Sequence, residues 1–271
     1  MICPKKWFLL TIATLVFGSA LNAPATLLQV LPAMGDLNRW AVFALGDGDF
    51  SNHLTDDAFV EGDVGIAGNG NLRLRGNSTI QGNLYYRSNG TLQLGNNATI
   101  TAAQFNNQDA VLDNGVTEAI NASNDAFALT PNRLGSSITL GGNNNTTITG
   151  APGETVVLKL NYLEMSGNAT LTLEGTATTT FIINVKNQFS LSGNSQITLS
   201  GGLEWDDVLF NVRGNGSDVC LTGNARLEGI LMANRRTVIL GAHATVRGAV
   251  IADRVRLNGN SRVIHPPVAS P

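Results

Sequence analysis

Leu72-Arg73-Leu74-Arg75-Gly76-Asn77-Ser78-Thr79-Ile80 is the stretch on which the fold turns. It reads apolar-x-apolar, then a Gly-Asn pair, then a small, a polar and an apolar residue. The pattern returns at 163–171, as Leu163-Glu164-Met165-Ser166-Gly167-Asn168-Ala169-Thr170-Leu171, and again at 189–197, 219–227 and 255–263. Two looser copies, 92–100 and 238–246, carry the Gly one residue early, and 138–148 carries two extra residues. The step across the Gly-Asn corner is six residues from Leu74 to Ile80, Leu94 to Ile100, Met165 to Leu171, Leu191 to Ile197, Leu221 to Leu227, Leu240 to Val246 and Leu257 to Val263. From Leu140 to Ile148 it is eight. A fixed step with a movable Gly is what a chain needs if each corner returns an apolar side chain to one core. Gly and Asn suit the corner because they tolerate the left-handed backbone region.

A second corner places Gly two residues past the apolar position, as in Val60-Glu61-Gly62, Ile80-Gln81-Gly82, Leu227-Glu228-Gly229 and Val246-Arg247-Gly248. Short apolar strands follow at 64–67, 84–86, 230–233 and 249–252. The copies recur after 17 to 30 residues. Short strands, Gly-rich corners and a variable period of this size predict a mostly β protein, an irregular parallel β-solenoid (β-helix). A β-sandwich is the rival, but its strand spacing gives no reason for a constant corner. Between Ala102 and Leu129 the corners stop, and apolar residues fall near helical spacing. The reading is one long α-helix at 102–129 packed along the solenoid, capped by Thr101, ended by Thr130-Pro131 and kinked at Asn114-Gly115. Its 28 residues would span about 42 Å, against about 38 Å for eight coils.

The rest of the chain bounds its location and excludes several activities. Residues 1–25 read as a signal peptide: Lys5 and Lys6, an apolar core beginning at Trp7, and Ala23-Pro24-Ala25. The domain reading is thus a signal at 1–25, one solenoid domain at 26–264 with its helical insertion, and a disordered tail at 265–271. The mature chain, secreted or at the cell surface, has no transmembrane segment by this reading. Only 14% of the 271 residues are charged and the net charge is −3, so nucleic acid is not expected as a partner. Once Cys3 leaves with the signal, Cys220 is the remaining cysteine, expected as a buried, inert thiol.

These features resemble a known group, the secreted bacterial family called choice-of-anchor A, an adhesive or collagen-binding-like domain. The residues carrying the resemblance are Val42-Phe43-Ala44-Leu45-Gly46-Asp47, Val60-Glu61-Gly62-Asp63-Val64-Gly65-Ile66-Ala67-Gly68-Asn69, Thr180-Phe181-Ile182-Ile183-Asn184-Val185, Val208-Leu209-Phe210-Asn211-Val212, Leu227-Glu228-Gly229-Ile230-Leu231-Met232-Ala233 and Gly248-Ala249-Val250-Ile251-Ala252. That family is similar in layout to the ice-binding-protein fold, an irregular solenoid flanked by one long helix. Family members often end in a sorting or membrane anchor. His265-Pro266-Pro267-Val268-Ala269-Ser270-Pro271 supplies neither an apolar anchor nor a basic stop.

No catalytic constellation emerges. Asp47, Asp49, Asp56, Asp57, Glu61 and Asp63 form one acidic stretch, and Asp206-Asp207 lies far off. Asp47-Gly48-Asp49-Phe50-Ser51-Asn52 opens like a calcium loop but lacks Gly at the sixth position and Glu at the twelfth. His53, His243 and His265 lack metal-ligand spacing. No enzyme, catalytic residue, metal or cofactor is therefore expected. The Asn column (Asn77, Asn96, Asn168, Asn194, Asn224, Asn260) reads as stacked corner amides. The candidate binding residues are Thr79, Thr99, Thr101, Thr147, Thr149, Thr170 and Thr172, which would share one solenoid face, with Arg226 and Arg262 interrupting it. The resemblance implies that ice binding would use a flat face of Thr hydroxyls and methyls. The leading expectation is a non-enzymatic structural or adhesive protein presenting a rigid face to extracellular matrix, glycan or another cell-surface ligand. Ice binding is the alternative, and a carbohydrate-active enzyme stands behind both.

Overall fold

The computed structural model describes residues 30–47 and 52–267. The expected signal at 1–25, most of the calcium-like loop and the last four residues lie outside them. Among the described residues, strands of two to 15 residues, the longest running round a corner, stack as nine parallel rungs with three faces. Leu140, Met165, Leu191, Leu221, Leu240, Leu257, Leu54, Leu74 and Leu94 form one in-register file, one residue per rung. Rungs are numbered here in that spatial order. The file lies on the second face. Across the corner, on the third face, a matching file reads Thr146, Leu171, Ile197, Leu227, Val246, Val263, Val60, Ile80 and Ile100.

Comparing the files corrects the sequence reading twice. The inward position of rung 1 is filled by Thr146 rather than Ile148, so the step from Leu140 is six residues there too. Thr146 escaped notice because it is the outermost rung, where the position is exposed and need not be apolar. Rung 7 is a ninth copy, Leu54 to Val60, hidden because its corner reads Asp56-Asp57 instead of Gly-Asn. Asp56 takes the left-handed conformation (φ 60°) that Gly76 takes (φ 64°) in the next rung. The corner amides do stack. Asn168 Nδ2 donates to Asn143 Oδ1 at 2.8 Å, Asn194 to Asn168 at 2.8 Å and Asn224 to Asn194 at 2.7 Å. At the other end Asn97, not Asn96, donates to Asn77 (3.2 Å), and Asn77 to Asp57 (2.8 Å).

The order of rungs is not the order of sequence. The chain enters at rung 6, where Trp40–Ala44 supplies the first-face strand, and winds outward through rungs 7, 8 and 9. The helix carries it back to rung 1, from which it winds inward to rung 6 again. Rung 6 is therefore shared: Val42 lies between Val250 and Val64, and Leu257 pairs with Leu54.

The helix is Asp109–Ala128, not 102–129. Thr101 lies on the third face and Gln104–Phe105 forms the last strand of rung 9, so the chain finishes its rung before turning. Twenty residues span about 30 Å, which covers about six rungs. Arg87 in rung 8 meets Asp109 (3.5 Å) and Asp113 (2.5 Å) at the start. Near the end, Asn184 in rung 2 donates to the Ala126 carbonyl at 2.9 Å. In rung 3, Asn211 donates to the Ser123 carbonyl (2.9 Å) and accepts from the Ser123 hydroxyl (2.7 Å). These buried amides replace the apolar residues a sheet face would otherwise show and fix the helix in register. Asn114-Gly115 does not kink the helix. Gly115 is buried there because a Cβ would lie 2.7 Å from Phe43 Cζ. Leu112, Ala119 and Ala126 pack with Ile182, Leu209, Ile230 and Ile251 in a second core between helix and sheet.

One buried cation holds the corner beside rungs 2 to 4. Arg236, 3% exposed, donates to the carbonyls of Lys186 (2.6 Å), Gly214 (3.1 Å), Ser217 (3.3 Å), Asn187 and Arg213. Its guanidinium does the work of a second loop backbone, and burial lowers its pKa.

Candidate functional site

On the third face, inward residues alternate with outward ones because strand side chains alternate. Two outward columns result. The first reads Asn145, Thr170, Gln196, Arg226, Thr245, Arg262, Phe59, Thr79 and Thr99. In the second, Thr147, Thr172 and Thr198 occupy rungs 1 to 3 in direct register. Further along, Arg247, Ile264, Glu61 and Gln81 share that column.

All seven Thr candidates lie on this one face, but in two clusters. Thr147, Thr149, Thr170 and Thr172 are at the rung 1 end, and Thr79, Thr99 and Thr101 at the rung 9 end. Rungs 2 and 8 are about 29 Å apart at the usual strand spacing. Arg226, Arg247, Arg262 and Glu61, all exposed, stand between them. The cause is the rung order. Residues near 80 and near 170 look like neighbours in a repeat, yet the N-terminal half is stacked beyond the C-terminal half.

The rung 1 end carries the longer in-register row of Thr. Thr172 Oγ1 is 3.4 Å from Thr198 Oγ1, and Thr149 donates to Glu174 at 3.3 Å. Thr198 was missed because the sequence reading followed only the residue before each apolar position. Thr198 sits just after it, in Gln196-Ile197-Thr198-Leu199-Ser200. Strand alternation alone would have found it. Within a strand, Thr170 and Thr172 are about 6.6 Å apart, and successive rungs about 4.8 Å. The patch is thus a small rigid grid of hydroxyls and methyls. Each Thr is β-branched and limited in χ1, and Leu171, Leu173 and Ile197 anchor the strands from inside.

The other titratable groups do not converge. Among the described residues no three His, Cys, Asp or Glu side chains are placed to hold a metal. Asp56 and Asp57 are corner residues, and Asp63 accepts from Asn83 at 2.9 Å. Asp207 has a carboxyl pushed up to about 6, chiefly by burial and further by Asp206 and Glu204, against the backbone bond from Glu204 that lowers it. That bond, 3.0 Å to the Glu204 N–H, closes a short 3-10 turn, Trp205–Asp207. Cys220 points outward between inward Val219 and Leu221 and is half-buried rather than buried. Burial and Asp218 push its thiol up, toward the unreactive form. His265 packs its ring on Trp205 at 4.7 Å.

A family model described as ice-binding-like matches residues 45–263. The chain belongs to the ice-binding-like family. Solved structures agree in fold. One is an ice-binding protein from an Antarctic ascomycete, Antarctomyces psychrotrophicus, at 16% identity and TM-score 0.55, covering 87% of this chain and 98% of that one. A glycosylated ice-binding protein from Arctic yeast gives 20% identity and 0.57, over 88% and 95%. An ice-binding protein from an Antarctic biological consortium gives 17% and 0.56, over 97% and 96%. A search of curated proteins finds no match. The ice-binding-like match overturns the adhesive expectation and, with it, matrix or glycan as ligand. Of the family resemblance read from the sequence, the match shows the ice-binding-like layout and not the choice-of-anchor A membership. The family model is described as ice-binding-like and these solved structures as ice-binding proteins. Among the described residues no helix is long and apolar enough to cross a membrane.

Proposed function

We propose that this chain binds ice, and does so through the third face at rungs 1 to 3: Thr147, Thr149, Thr170, Thr172 and Thr198. The observation that carries the reading is the in-register row Thr147, Thr172, Thr198 on consecutive rungs. Ice is a rigid lattice with no shape to adapt. A binder gains by holding its contacts fixed beforehand, so that little side-chain entropy is lost on contact. Thr on a strand supplies this with a restricted χ1 and a methyl beside each hydroxyl. The absence of Lys and Arg from these three strands, Asn145–Thr149, Thr170–Glu174 and Gln196–Ser200, fits the same purpose. Long hydrated cations would hold the surface away from the crystal. The family match supports the ligand class.

The test is thermal hysteresis and ice recrystallisation inhibition on wild type, Thr172→Tyr and Thr99→Tyr. Wild type should show hysteresis, Thr172→Tyr should lose most of it, and Thr99→Tyr should keep most of it. A flat wild-type response would overturn the function. Loss confined to Thr99→Tyr would overturn the location. We also infer that residues 1–25 direct the chain out of the cytoplasm. N-terminal sequencing of the exported protein should then begin near Thr26, and an intact Met1 would refute it.

A further inference from the structure

A cavity of about 150 Å³ opens between the helix and rungs 3 and 4, away from the Thr grid. Its polar lining is Ser123 and Asn124 from the helix, Arg213 just past the strand Val208–Val212, and Asn234 and Arg235 from the irregular middle of the strand Arg226–Leu240. Arg213 is held in place: its Nη1 donates to the Ser123 carbonyl at 3.1 Å and its guanidinium lies 4.8 Å over the Phe127 ring. Arg235 is exposed. Among the described residues neither guanidinium has a carboxylate within 4.0 Å. Two cations therefore face one small space with no countercharge. Burial, and then the charge of Arg235, lower the pKa of Arg213, the direction expected for a cation crowded by another. Asn234 adds the opposite polarity. Its Nδ2 donates to the Ala119 carbonyl at 2.6 Å, which leaves Oδ1 as a buried acceptor with no partner.

We propose that this cavity binds a small oxyanion that keeps a proton, such as hydrogen phosphate or bicarbonate. Its charged oxygens accept from Arg213 and Arg235, and its O–H donates to Asn234 Oδ1. A guanidinium pair matches the planar or tetrahedral array of such oxygens, and an unpaired buried acceptor is costly unless a donor meets it. The volume equals the share of about five liquid waters, enough for one such ion. The bound ion would bridge the helix to rungs 3 and 4 and so stabilise the folded chain by mass action.

The test uses the whole protein at neutral pH. Phosphorus NMR of inorganic phosphate should broaden and shift on adding protein, with bicarbonate competing and sulfate, which carries no proton at this pH, competing at least about tenfold less well, the cost of one unpaired buried acceptor. Arg235→Gln removes an exposed side chain that holds nothing else in place. It should fold, keep its thermal hysteresis, and weaken phosphate binding about tenfold or more, the loss of one charge-assisted hydrogen bond. No broadening by wild type, equal broadening by R235Q, or sulfate competing as well as phosphate would each overturn the assignment.

Discussion

Replacing Gly115 by Ala should destabilise this protein, against the ordinary rule for helices. In a helix interior, Gly to Ala is worth about 1 kcal/mol of stability from backbone entropy. Here the added Cβ would lie 2.7 Å from Phe43 Cζ and 3.2 Å from Cε1 and Cε2. The ring has nowhere to go. On its sheet side sits Gly65, where a Cβ would come within 2.5 Å of Cδ2, and the Trp40 ring lies 5.2 Å away. Phe43 is thus clamped flat between two glycines, one from the helix and one from rung 7. Overpacking of a closed core costs about 1–3 kcal/mol. Setting the propensity gain against the upper part of that range leaves a net loss of about 1–2 kcal/mol. For a chain of this size that lowers Tm by about 2–8 °C. Thermal unfolding followed by circular dichroism reads it directly. In a Phe43→Leu background the clamp is open, and the same substitution should become neutral or stabilising. A rise in Tm for G115A alone, or an undiminished penalty in the double variant, would refute the reasoning.

Two further substitutions probe the charged interior. Asp207 has a folded pKa of about 6 against about 3.9 unfolded, so the native state binds its proton more tightly. That contribution to stability is full below pH 4 and is lost as pH rises through 6. Asp207→Asn, whose side-chain oxygen can still accept from Glu204, should therefore raise stability by about 2–3 kcal/mol at pH 7.5 and by little at pH 4; an equal gain at both pH values would rule out ionisation as the cause. Arg236→Met should cost about 3–5 kcal/mol by leaving five loop carbonyls short of a donor. Urea denaturation measures it, and a loss under 1 kcal/mol would show that water replaces the guanidinium.

The architecture was legible because the corner obeys one number. Six residues separate the last inward side chain of one face from the first of the next in every rung, and that spacing survives where Gly moves to 241 and Ala242 takes the left-handed position instead (φ 56°). Sequence motifs alone hid rung 7, since Asp56 can adopt the same backbone without looking like a corner. The split of the Thr candidates was illegible for a different reason. A repeat states how each coil closes on itself but not which coil lies on which, and the entry of Trp40–Ala44 beside 249–252 reorders the stack. The helix boundaries suffered from a local ambiguity: Gln104 and Phe105 fit a helical pattern as well as a strand, and only the open edge at Leu84 and Tyr85 decides. The Asn184 and Asn211 amides broke the apolar pattern of their strands, which was a signal of something covering that face, and they proved to be the fasteners of the helix.

The shared sixth rung makes this molecule a closed circuit. Asn52 accepts from the Val255 amide 203 residues away, and joining ends across such a span costs about 5 kcal/mol of chain entropy in the simplest estimate. That closure joins the segment 40–61 to the segment 245–264. Both outer edges of the stack are then mid-chain turns that cannot peel away one residue at a time. The weak point is the waist, and a lesion there would part the protein into two hinged pieces held by the helix alone.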